Sequence, residues 1–222
     1  MIYTNPVWTA DGHTLYFVRR GTDGRASIGR VNRDDPGNAI SLLDGAFVSV
    51  SSDGRRLAYL TNETSSSGPV ILVADIDGQN PDNVTGPPRF TALGAFSFSP
   101  DGTRIVFAGI PAEKSASLYP PQSPWAFGLV RLLAPEPAHA HPSRIPFDLW
   151  MVNTDGSGLQ LLTDLADETT LPAWSPDGKQ VAFSSEQGIY VVDVVSKRAA
   201  GPVGAQLITP DFVESGLLWL KE

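Results

Sequence analysis

The sequence predicts an all-β fold, a β-propeller of four four-stranded antiparallel blades followed by one extra innermost strand. Three observations predict it. A short phrase built on an Asp-Gly step recurs four times, in PVWTADGHTLYF, FVSVSSDGRRLAYL, FSFSPDGTRIVFAG and PAWSPDGKQVAFSS. Each copy is followed by two further short apolar runs, bounded by turn residues, before the next copy begins. The 21 Gly and 19 Pro among 222 residues suit many short strands joined by tight turns rather than long helices. Four strands per unit, repeated in phase, is the pattern of blades that cannot bury both faces alone and so stack around an axis.

The elements follow in order. The first strand of each unit leads into Trp8, Val50, Phe98 or Trp174, and the Asp-Gly step behind it supplies the positive φ that closes a hairpin. The second strand carries Leu15/Phe17, Leu57/Tyr59, Ile105/Phe107 or Val181/Phe183, two residues apart and therefore on one face. The third runs to Asn32, Asp75, Asn153 or Asp193, twice continuing into a turn, DIDG at 75–78 and NTDG at 153–156. The fourth is ISLL at 40–43, NVT at 83–85, LQLLT at 159–163 or QLIT at 206–209.

The blades thus span about 5–43, 45–85, 92–163 and 171–209 of a single domain, 1–222. A further blade starts at 215–222, with Trp219 where its innermost strand would begin. Both chain ends then offer the same type of strand and cannot share one blade. A piece of a longer propeller, roughly six or more blades, is expected over a closed four-blade ring with a spare strand.

Trp174-Ser175-Pro176-Asp177-Gly178 and Phe98-Ser99-Pro100-Asp101-Gly102 resemble the WD-like Pro-Asp repeat of TolB-type β-propellers. The first two units depart from it: Ala10 and Ser52 stand where Pro is expected, and Val50 where an aromatic is expected. The resemblance implies a non-catalytic scaffold in the periplasm or outside the cell, taking a protein partner or a small ligand at the channel mouth. The alternative it implies is the propeller domain of an enzyme whose catalytic part lies outside this chain. A prolyl-oligopeptidase-type serine peptidase and a polysaccharide lyase are the two examples.

One stretch breaks the regularity, an insertion at 111–146 between the second and third strands of the third blade. Loops of this length are functional or disordered far more often than they are spacers. Its centre, Trp125–Ala134, is flanked by prolines and reads as a short helix that is apolar on nearly every side and must bury, either over blade three and its neighbour or against a partner. Because strands alternate in direction, the insertion emerges on the same face as the blade-to-blade loops DLADETT at 164–170 and PDFVESG at 210–216. The candidate interaction surface is therefore Trp125, Phe127, Leu129, Leu132 and Leu133, with Asp167 and Glu168 beside them.

No catalytic residue, metal or cofactor is expected. There is no G-x-S-x-G elbow, and the three histidines are His13, after a turn, and His139 and His141 in the insertion. The pair His139 and His141 would share one side of an extended segment, but two ligands without a third make no zinc site. DIDG and NTDGSG echo the start of a calcium loop yet lack its closing Glu, which leaves turn capping as their role. Asn62-Glu63-Thr64 and Asn83-Val84-Thr85 spell glycosylation sequons. The net charge of −8 opposes a nucleic-acid binder, and zero Cys excludes disulfides and thiolate metal sites. No apolar run is long enough to span a membrane, and MIYTNPVWTADG shows no signal peptide.

Overall fold

A computed structural model describes residues 1–62, 68–87, 89–113, 147–163, 170–185, 188–194 and 205–209. They form four antiparallel four-stranded sheets, each in simple up-and-down order. Blade one is β1 (Ile2–Trp8), β2 (Thr14–Arg20), β3 (Ala26–Asn32) and β4 (Asp35–Asp44). Blade two is β5 (Ala46–Val50), β6 (Arg56–Asn62), β7 (Pro69–Asp75) and β8 (Asp82–Asn83). Blade three is β9 (Phe90–Phe98), β10 (Arg104–Pro111), β11 (Asp148–Asn153) and β12 (Gln160–Leu161). Blade four is β13 (Thr170–Trp174), β14 (Gln180–Ser185), β15 (Gly188–Asp193) and β16 (Ala205–Thr209). Trp8, Val50, Phe98 and Trp174 each end the innermost strand of a blade, in equivalent places. The extra strand expected at 215–222 lies outside the described residues.

The repeated phrase folds the same way four times. Gly12, Gly54, Gly102 and Gly178 all hold φ near +68 to +69°, the left-handed region that glycine adopts without strain. Each of these glycines donates its N–H to the carbonyl three residues back. The hydroxyl of Thr9, Ser51, Ser99 or Ser175 donates to the Asp carboxylate at 2.6–2.7 Å and accepts the N–H that opens the second strand. The same carboxylate accepts the N–H two residues on, from His13, Arg55, Thr103 or Lys179. A hydroxyl residue two positions before the Asp is therefore a requirement of the turn.

Three apolar layers lie between successive blades. Between blades one and two, Tyr16, Val18 and Ile28 meet Val48, Leu57 and Tyr59. Between two and three, Ala58, Ile71 and Val73 meet Phe96, Ile105 and Phe107. Between three and four, Val106, Ala108 and Met151 meet Trp174, Val181 and Phe183. In blades two to four the aliphatic–aromatic pair of the second strand thus faces the preceding blade, and in blades one to three the alternate residues face the following one. Among the described residues, no substantial packing of strands joins blade four to blade one.

Two findings depart from the sequence reading. Trp8 reads from its place in the repeat as a blade-packing residue like Trp174, yet it is 50% exposed whereas Trp174 is 8% exposed, since among the described residues no blade packs on its side. The outer strands of blades two and three are also shorter than NVT and LQLLT suggest. At those strand ends the hydroxyls of Thr85 and Thr163 accept the N–H of Ile71 and Leu149, so a side chain takes over the ladder.

Candidate functional site

Two rims bound the stack of blades. The Asp-Gly turns lie on one. The other carries the second-to-third hairpins and the blade-to-blade connections. On the second rim, the β2–β3 hairpin, the β4–β5 connection and the end of β6 converge around a cavity of ≈ 410 Å³. Arg20, Arg25, Asp44, Leu60 and Thr61 are among the residues that line it, giving two cations, one carboxylate and an apolar floor between blades one and two. Gly45 is fixed in this wall, since a Cβ there would stand 3.0 Å from the Tyr59 ring and 3.2 Å from the Leu60 carbonyl.

The insertion opens on this same rim, because β10 and β11 run into it at Pro111 and return from it at Asp148. Trp125, Phe127, Leu129, Leu132 and Leu133, with Asp167 and Glu168 of the following connection, lie outside the described residues, as do His139 and His141. At the foot of the insertion, Asp148 is 1% exposed, a buried carboxylate that the sequence pattern did not single out. Its only signal was its place, at the start of the strand that follows a long irregular segment.

The polar residues of the other rim are engaged in structure. Thr103 Oγ1 adds a further bond to Asp101, and the Asp carboxylates of the turns are held below their ordinary range by their hydroxyl and backbone donors. For Asp101 the Ser99 hydroxyl is the main cause, and its pKa falls to about 2. Asp155, of the NTDG turn, is lowered in the same way by Ser157. Among the described residues no group of three His, Asp or Glu is placed to hold a metal ion. His13 lies 3.6 Å from the Asp34 carboxylate at the surface.

Sequence reasoning missed a set of side chains that link blades. Arg56 donates to the Gly102 carbonyl at 2.6 Å and to Thr154 at 2.9 Å, from blade two to blade three. Arg104, the equivalent residue one blade on, donates to the Gly178 carbonyl at 3.1 Å and lies over the Trp174 ring, 5.0 Å from its centroid. The Trp174 indole in turn donates to the Ser97 carbonyl at 3.2 Å. The signal was available: an Arg two residues after the Asp-Gly glycine occurs in two of the four units.

Blade-on-blade stacking of four-stranded antiparallel sheets around inner strands defines the chain as β-propeller in class. Comparison with known proteins shows that this fold is shared with TolB and with other β-propeller proteins of known structure. It superposes on TolB from Acinetobacter baumannii with a TM-score of 0.61 at 16% identity, covering 97% of this chain and 45% of that one. It superposes on an oligogalacturonate lyase from Vibrio parahaemolyticus with a TM-score of 0.62 at 18% identity, covering 92% and 51%. The chain thus spans about half the length of the solved structures it matches, and the likeness is one of fold. A 41-residue stretch, 18% of this chain, is 46% identical to a dipeptidyl-peptidase 5 of Porphyromonas gingivalis, 6% of whose length it covers. No family model matches.

Proposed function

We propose that the chain is a non-catalytic TolB-like scaffold, an arc of a larger propeller of roughly six or more blades. It binds a protein partner or small ligand at the rim of the blade connections, in the periplasm or outside the cell. The observation that carries this reading is the coincidence, on one rim, of the insertion's origin and a cavity between blades. The turn hydroxyls and carboxylates are bonded to one another within the hairpins. The test is to replace Trp125 and Phe127 together by Ala. A docking role predicts unchanged melting and weaker recovery of bound protein from a periplasmic extract. A lowered melting temperature with full recovery sinks the choice of surface.

A second reading is favoured by the stretch shared with the dipeptidyl-peptidase and by the lyase neighbour, both enzymes by name. In that case the arc belongs to an enzyme whose catalytic part is elsewhere. Peptidase, esterase or lyase turnover by the purified chain that disappears on changing a single Ser or His would overturn the non-catalytic reading.

A further inference from the structure

In a chain of net charge −8, the cavity between blades one and two carries two guanidinium groups. Arg20 ends β2 and Arg25 immediately precedes β3, so the turn between them brings both to the cavity. That turn is closed by the Gly21 N–H on the Arg25 carbonyl at 2.9 Å and the Gly24 N–H on the Gly21 carbonyl at 3.1 Å. Arg20 Nη1 makes one long bond, 3.4 Å, to the Gly24 carbonyl, and Arg25 Nε stands 3.9 Å from Asp23 Oδ2 with both side chains in water. A guanidinium has five N–H donors, so among the described residues most of them face no protein acceptor.

Asp44 enters the same cavity from another strand, at the end of β4. Among the described residues its carboxylate forms no ion pair with either arginine. Opposite charges held apart in one cavity suit a ligand that itself carries both. The floor beneath them, from Ala46 and Leu60, is apolar and fixed in place. The Gly45 N–H donates to the Ala26 carbonyl at 3.0 Å, and β5 bulges against β6 between Ala46 and Val48. Phe47, at the bulge, holds a φ of 50°, which an aromatic residue adopts only where its surroundings impose it. The volume of ≈ 410 Å³ falls within the small-molecule range of about 300–1,000 Å³.

We propose, on the reading of this rim as the binding face, that the cavity takes a small zwitterion, an aliphatic α-amino acid. Its carboxylate meets Arg20 and Arg25, its ammonium meets Asp44, and its side chain lies against Leu60 and Ala46. The planar fork of a guanidinium matches a carboxylate. Inorganic phosphate would gain the same arginines but would meet Asp44 as a like charge, and a simple amine would leave both arginines unanswered.

The full chain is titrated at neutral pH with L-leucine, followed by calorimetry and by amide shifts in nuclear magnetic resonance. Saturable binding at one site is expected. Leucinamide, which lacks the carboxylate, and N-acetyl-leucine, which lacks the ammonium, should each bind at least about tenfold more weakly. Arg20→Ala/Arg25→Ala should weaken leucine binding by about tenfold or more. Asp44→Asn should weaken leucine and erase its advantage over N-acetyl-leucine. All three side chains are exposed, so both variants should keep the wild-type far-ultraviolet spectrum and melting. No saturable binding of millimolar leucine, equal binding of either derivative, phosphate held as tightly as leucine, or binding indifferent to the variants would each overturn the proposal. Loss of leucine binding leaves the Trp125/Phe127 recovery assay untouched, and failed recovery leaves leucine binding untouched, so the two readings fail separately.

Discussion

Replacing Arg104 by Ala should loosen the junction between blades three and four. The guanidinium is half-buried, donates to the Gly178 carbonyl at 3.1 Å and lies 5.0 Å from the Trp174 centroid. A hydrogen bond from a charged donor contributes about 1.5–3 kcal/mol, and a cation over an indole about 0.5–2 kcal/mol. Partial exposure places the sum toward the lower end, at about 2 kcal/mol. For a chain of this size that corresponds to a melting temperature lower by roughly 4–8 °C. The assay is thermal unfolding followed by tryptophan fluorescence, since Trp174 sits in the junction itself. Arg104→Lys keeps the charge but not the planar fork, and should recover less than half of the loss. Arg55→Ala, exposed on the same hairpin series, is the control and should stay within about 0.5 kcal/mol of wild type. A shift for Arg104→Ala no larger than the control's would refute the assignment of Arg104 as a junction residue.

Gly102→Ala should destabilise by about 1–2 kcal/mol through its left-handed backbone alone, since the added methyl would meet Arg56 at an ordinary 3.6 Å. Gly102→Asn should recover part of the loss in a denaturant titration, because Asn tolerates that region better. Stability should also fall in acid. The turn carboxylates are depressed in the folded state, so their contribution is complete above the ordinary carboxylate value of 3.8. As pH drops further the unfolded chain binds protons first, and for Asp101 the contribution is lost as pH approaches about 2. Melting followed from pH 5 downward should show this decline, and Asp101→Asn should be weaker at neutral pH with a shallower acid slope. An unchanged slope would remove Asp101 from the account.

The hairpins were legible because each is specified locally. Asp-Gly, the hydroxyl residue before it and the alternating pair after it are contiguous, and together they dictate turn, register and face. The short β8 and β12 were not legible, because a Thr hydroxyl can substitute for a ladder bond without altering the apolar pattern. Arg56 and Arg104 escaped for a different reason. Their partners are glycine carbonyls 46 and 74 residues away, and a carbonyl carries no sequence signature. Trp8 shows the limit of repeat logic, since its place in the phrase equals that of Trp174 while its exposure depends on a neighbour that the phrase does not encode. The candidate surface at Trp125–Leu133 rests on sequence alone.

The junction hydrogen bonds among the described residues are unevenly distributed. Tyr16 to Ile76, Ser52 to Pro100, Arg56 to Gly102 and Thr154, and Arg104 to Gly178 gather at the Asp-Gly turns. Ser97 to Pro172 and Trp174 to Ser97 run along the inner strands. The opposite edge, where the connections lie, holds instead the ≈ 410 Å³ cavity lined by Arg20, Arg25, Asp44, Leu60 and Thr61. The blades therefore resemble the leaves of a fan pinned at one end. A molecule entering between two leaves from the unpinned side would leave the hydrogen bonds at the Asp-Gly turns in place, so the pinned side would serve as a hinge and restore the spacing when it leaves.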